Sequence, residues 1–239
     1  MAAPTDLVLT VLRAPAQALD LPPAGWDLLV RQARRADLLG RIALLLERER
    51  LLDRVPAAPR AHLDAAMVLT EAQHREVRRE VAHIAAALAP LALQPVLLKG
   101  AAYLMSNAAP ALGRTFDDVD LLVPKARLPE VEAHLMMGGW VTTHLSPYDQ
   151  RYYREWMHEL PPMQHGVRHS VLDVHHAILP ETAHVQPDSA LLLAQARVVP
   201  AHPDWRVLSP IDMLLHSMTH LFHNEELSHG LRDLSDLDL

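Results

Sequence analysis

The stretch Arg114-Thr115-Phe116-Asp117-Asp118-Val119-Asp120-Leu121-Leu122-Val123 decides how this chain is read. Asp118 and Asp120 are separated by one apolar residue and run into a β-branched and leucine segment. On an extended strand, side chains at i and i+2 share a face. The two carboxylates therefore converge, while Val119, Leu121 and Val123 pack on the opposite side. Converging carboxylates repel unless a cation neutralises them, and hard oxygen ligands suit Mg²⁺. The pattern predicts a strand over 118–123 that carries a metal-assisted phosphoryl-transfer site. A lone Asp-x-Asp also ends loops, because Asp favours turns. Its companions in the chain give it meaning.

Upstream, Pro95-Val96-Leu97-Leu98-Lys99-Gly100-Ala101-Ala102-Tyr103-Leu104 reads as a strand, a tight turn and a helix N-terminus. Backbone N–H groups and the positive end of the helix dipole suit a phosphate there. Gly100 would let the backbone approach closely. Lys99 is one of two lysines, the other being Lys125, against twenty arginines. In a chain so poor in lysine, its place at this turn marks it as a candidate phosphate contact. Downstream, Ser170-Val171-Leu172-Asp173-Val174-His175-His176-Ala177-Ile178 predicts another strand. Val171, Asp173 and His175 share one face. A carboxylate in so apolar a strand needs a partner. A metal ion, a substrate hydroxyl or a salt bridge to Arg168 or Arg114 would each serve. His175 shares the face of Asp173 and could orient that carboxylate or touch substrate.

Together these elements resemble the nucleotidyltransferase superfamily that includes DNA polymerase β. They are more closely similar to a bacterial branch of uncharacterised nucleotidyltransferases. The carriers are Leu98-Lys99-Gly100, the run from Arg114 to Asp120 with its Asp118-Val119-Asp120, and Leu172-Asp173-Val174-His175. The resemblance implies an α+β fold, with a small mixed β-sheet nucleotidyltransferase core flanked by N- and C-terminal helices. It implies Asp118, Asp120 and Asp173 as catalytic, metal-holding acids for Mg²⁺, with Mn²⁺ as a substitute. It places Lys99, Gly100, Ala101 and Arg114 at the nucleotide, an NTP and in the first instance ATP. A nucleoside monophosphate would pass to a hydroxyl of a small molecule or protein. Ala101 stands where many active members carry serine. That departure supports the rival reading, a catalytically silent nucleotide-binding or interaction module.

The chain's 239 residues suffice for one large or two small domains with a real core. Hydrophobic residues make up 50% and charged ones 21%, which places the chain with soluble globular proteins rather than disordered ones. With no cysteine, disulfides, thiolate metal sites and cysteine nucleophiles are excluded. Arg13, Asp20 and two early prolines interrupt any secretory leader, and Pro90 and Pro95 break the most apolar region, 84–98. Cytoplasmic residence without a membrane span is the expectation. The net charge of −7 argues against a long nucleic-acid substrate, since phosphate neutralisation dominates such binding. Arg75, Arg78 and Arg79 interleave with Glu71, Glu76 and Glu80, the pattern of a solvated helix face.

Residues 1–90 read as an N-terminal helical region, with segments near 5–18, 24–52 and 57–89 punctuated by prolines. The α/β core is expected over 91–185 and a C-terminal helical region over 186–239. Residues 151–156 fit a strand or a short helix. No stop signal closes the amphipathic segment at Ser235–Leu239, which reads either as a final helix cut off there or as an abrupt natural end. Of the sixteen histidines, His216, His220 and His223 fall on one helical face. Ser217 occupies the position where a metalloprotease helix needs glutamate, which favours core or site-rim histidines over a zinc site.

Overall fold

The computed structural model describes residues 6–144, 146–223 and 229–239. In chain order the N-terminal helices are α1 (Leu7–Arg13), α2 (Pro23–Arg35), α3 (Leu39–Arg48) and α4 (Ala57–Leu88). Then come β1 (Val96–Leu98), α5 (Lys99–Ser106), β2 (Asp118–Leu122), α6 (Leu128–Met137) and β3 (Trp140–Thr142). They are followed by α7 (Pro147–Trp156), β4 (Met163–His165), β5 (Val171–His175) and α8 (Ser189–Gln195). The hairpin β6 (Arg197–Val199) and β7 (His202–Val207) precedes α9 (Pro210–His223) and α10 (Gly230–Leu237).

Contacts group the chain into two discontinuous units. The first unit comprises Met1–Arg75, Ala109–Thr115 and Glu226–Leu239. Its helices start as local chemistry dictates: the Asp6 side chain accepts from the Leu9 N–H, and proline opens α2. Val8, Trp26, Leu29, Ile42, Leu46 and Leu63 form its buried core. Long-range chain segments join it through charge. Arg41 donates to the Pro110 carbonyl and pairs with Asp236 at 2.6 Å, and Arg114 reaches the other Asp236 oxygen at 2.8 Å. Gly113 is required here. Its φ is +67°, and a Cβ would lie 2.4 Å from the Arg41 backbone.

The second unit, Glu76–Ala108 and Phe116–Glu225, holds one seven-stranded mixed sheet in the order β3-β4-β5-β2-β1-β7-β6. The expected strands at 95–98, 118–123 and 168–178 are present as β1, β2 and β5, and they occupy the sheet's centre. On one face Val96, Leu98 and Leu122 pack with Ala196 and Leu208. Leu121, Leu172 and Val174, on the other face, are buried as well.

One expectation requires correction, and one left open between strand and helix is resolved. The region 186–239 is not wholly helical, because β6 and β7 form a hairpin whose Val199, Trp205 and Val207 are buried at the sheet edge. Segment 151–156 is helical: the Ser146 hydroxyl accepts from the Asp149 N–H and Pro147 fills the first helical position. Among the described residues, no helix is long and apolar enough to cross a membrane.

Candidate active site

Strand register brings the three acids together. β2 and β5 run parallel, with Asp118 opposite Val171, Asp120 opposite Asp173 and Leu122 opposite His175. Parallel neighbours lie about 4.8 Å apart and hold paired side chains on one face. A carboxylate oxygen from each of Asp118, Asp120 and Asp173 lies within 4.8 Å of the others. β1 is antiparallel to β2 and pairs Leu98 with Asp120, so the next residue, Lys99, emerges beside the same carboxylate. Lys99 takes a left-handed φ of +45°, uncommon for a residue with a side chain, and begins α5. This turn aims the ammonium back at the sheet: Nζ donates to Asp120 Oδ1 at 2.7 Å.

Asp120 is almost fully buried and shares that oxygen with His175, whose Nε2 lies 2.8 Å away. Burial alone would raise the Asp120 pKa, but the Lys99 charge and the His175 hydrogen bond outweigh it and hold the carboxyl well below the usual range. The Lys99 ammonium is raised in turn. Burial opposes its charge, and Asp120, Asp118 and Glu159 override burial. His175 Nδ1 faces Glu159 Oε2 at 3.2 Å.

Asp173 contrasts with Asp120 across the ladder. Its Oδ1 is buried with no hydrogen-bond partner among the described residues. Burial, then the carboxylates of Asp120, Glu159 and Asp118, push its pKa up to about 7. Of the two candidate partners, Arg168 is paired with Glu80 at 2.6 Å and Arg114 with Asp236 at 2.8 Å. Three converging carboxylates, one carrying an unpartnered buried oxygen, are a donor set that a hard divalent cation fits. Mg²⁺ takes such oxygens at about 2.0–2.1 Å.

Gly100 and Ala101 lie buried in the first turn of α5, next to Lys99. Arg114 belongs to the first unit and is committed to Asp236. His216 is buried on α9, where burial above all, then the Lys99 charge, push its pKa down to about 3. Two clusters of three metal-capable side chains occur among the described residues, and neither includes His216, His220 or His223. One is the acidic triad. The other is His158, Glu159 and His175. Glu159 and His158 escape sequence reading because they sit on irregular backbone beyond α7, which reaches His175 through an isolated antiparallel bridge. The only signal was a His-Glu pair ahead of a double proline.

Comparison with known proteins gives the family of the chain. Residues 22–239 match the model of a family described as uncharacterised nucleotidyltransferase. The chain belongs to that family and is a nucleotidyltransferase. No curated protein matches it. Two solved structures are similar. One is the crystal structure of ANT(2")-Ia in complex with adenylyl-2"-tobramycin, with 17% identity over 69% of this chain and 86% of that one, at a TM-score of 0.47. The other is the solution structure of the antibiotic-resistance factor ANT(2")-Ia, with 18% identity over 70% and 84% and a TM-score of 0.45.

Proposed function

We propose that the second unit transfers a nucleoside monophosphate from an NTP, ATP in the first instance, to a hydroxyl of a small molecule or protein. The observations that carry this reading are the β2–β5 register, which sets Asp120 beside Asp173, and the buried Asp173 Oδ1, which has no hydrogen-bond partner among the described residues. Asp118, Asp120 and Asp173 would hold Mg²⁺, with Mn²⁺ as a substitute. The bound cation supplies charge neutralisation at the phosphates and a lowered pKa for the attacking hydroxyl. Lys99, at the N-terminus of α5 with Gly100 and Ala101, would offer its ammonium, which pairs with Asp120, and the backbone N–H groups of that turn to phosphate oxygens.

In this reading the acceptor oxygen bonds to the α-phosphorus as the bond to the bridging oxygen breaks. Pyrophosphate leaves, and the hydroxyl proton passes to Asp173. Asp173 is the acid with a buried oxygen that takes no hydrogen bond from a described residue, which leaves a lone pair for that proton. His175, anchored to Asp120 and Glu159, fixes the orientation of Asp120. Arg114 acts structurally, through its pair with Asp236. A net charge of −7 fits a small-molecule or protein acceptor better than nucleic acid.

The test uses NTPs labelled at either the α- or the γ-phosphorus, with Mg²⁺ and a panel of hydroxyl acceptors. Transfer of the α label, with the γ label recovered in pyrophosphate, is expected. Turnover should be lost in Asp118→Asn, which sits at the more open end of β2. Undiminished turnover in that variant would overturn the site assignment, and transfer of the γ label would overturn the reaction class.

A further inference from the structure

We propose that His158, Glu159 and His175 form a second cation site, selective for a borderline ion of the Zn²⁺ type over Mg²⁺ and separate from the acidic triad. One ligand atom from each lies within 4.8 Å of the others. The tightest edge is already near its bound length. A tetrahedral ion with arms of about 2.0–2.1 Å spaces its ligands about 3.3–3.4 Å apart, and Glu159 Oε2 lies 3.2 Å from His175 Nδ1. A carboxylate and an imidazole nitrogen so close need a proton or a cation between them.

The third ligand points the same way. His158 Nδ1 is buried without a hydrogen-bond partner among the described residues, and its ring centroid lies 5.3 Å from that of His175. The platform beneath is fixed by backbone bonds. The His176 N–H donates to the His158 carbonyl and the Leu160 N–H to the Val174 carbonyl, both at 2.8 Å. These bonds flank the Glu159–His175 bridge.

The outer contacts fit as well. A metal-bound histidine commonly gives its second ring N–H to a carboxylate, which fixes its orientation. His175 presents Nε2 to Asp120 Oδ1 at 2.8 Å, and the Lys99 ammonium anchors that same oxygen. Two imidazoles and one carboxylate favour Zn²⁺, whereas the all-carboxylate triad favours Mg²⁺. The two clusters are thus chemically sorted, with His175 and Asp120 at their junction. A cation here would lock His175 and, through it, position Asp120. The binding claim stands whether or not the chain transfers nucleotides.

The test titrates Zn²⁺ into chelator-treated full-length protein in the presence of excess Mg²⁺, followed by calorimetry. Wild type, His158→Ala, Glu159→Gln and Asp118→Asn are compared, with circular dichroism to verify folding. Wild type is expected to bind one equivalent of Zn²⁺. His158→Ala and Glu159→Gln should each weaken binding by more than about 100-fold, beyond the ~10–100-fold of an outer-shell partner. Asp118→Asn should bind as wild type does. X-ray absorption of the zinc-loaded wild type needs no variant and should show imidazole nitrogen in the first shell. An all-oxygen shell, no Zn²⁺ uptake against Mg²⁺, or loss in Asp118→Asn with retention in the other two would each overturn the proposal.

Discussion

Replacing Asp173 with asparagine is expected to stabilise the metal-free protein while abolishing nucleotidyl transfer. Burial and three neighbouring carboxylates raise this carboxyl from its ordinary 3.8 to about 7. Between those values the native state binds more protons than the unfolded chain, so stability falls as pH rises through that window. Below the ordinary carboxylate range the side chain is protonated in both states and costs nothing. Above about 7 the full cost of the buried, crowded charge is present, on the order of 4 kcal/mol at ~1.4 kcal/mol per pH unit. Asparagine keeps the shape and removes the charge. Chemical denaturation of chelator-treated wild type and Asp173→Asn from about pH 5 to pH 9 reads this directly. The variant should gain on wild type across the window and level off above it. Saturating Mg²⁺ should narrow the difference by stabilising wild type alone. A variant no more stable than wild type at alkaline pH, or a gap that ignores pH, would refute the account of Asp173 as a repelled acid.

Other consequences are testable in the same way. Lys99→Met should destabilise the fold by roughly 3 kcal/mol, because it strands the buried Asp120 charge; urea midpoints measure this, and an unchanged midpoint would contradict it. Gly113→Ala should cost several kcal/mol, since a Cβ at φ +67° would press 2.4 Å from the Arg41 backbone; a loss below about 1 kcal/mol would show that this contact yields easily. Glu80→Gln should cost about 1–3 kcal/mol through weakened bonds to Arg168 and Ser170. Burial opposes ionisation of Glu80, yet those bonds lower its pKa, so its contribution is present above the ordinary glutamate pKa and lost as pH falls through the depressed value. The wild-type and Glu80→Gln stability curves should therefore converge in acid, and parallel curves would argue against the pairing.

The central strands were legible because their chemistry is local. Period-two alternation in Asp118–Val123 and Val171–His175, and the apolar run ending at Lys99-Gly100, each mark an element within a few residues. What brings Asp120 opposite Asp173 is cross-strand register, which no single segment encodes. Arg114 lies near Asp118 in sequence, yet its buried guanidinium pairs with Asp236, a partner over a hundred residues away. β4 has three residues and follows a double proline, too short for alternation to show. The β6–β7 hairpin lies between helical segments, and its turn residues, Pro200 and Ala201, lack the Asn-Gly or Asp-Gly signature of a tight hairpin. Glu159 and His158 were beyond reach for a different reason: irregular backbone carries no periodicity, and only the folded chain lays it along β5.

Calorimetric titration of the four nucleoside triphosphates with Mg²⁺, into wild type and into Asp118→Asn/Asp120→Asn, asks whether the acids of β2 and β5 build a nucleotide site. Wild type should bind a triphosphate in a metal-dependent way, and the double variant should lose that binding while its fold persists by circular dichroism. Triphosphate binding that survives both substitutions, or that needs no divalent cation, would contradict a nucleotide site built on the acids of β2 and β5.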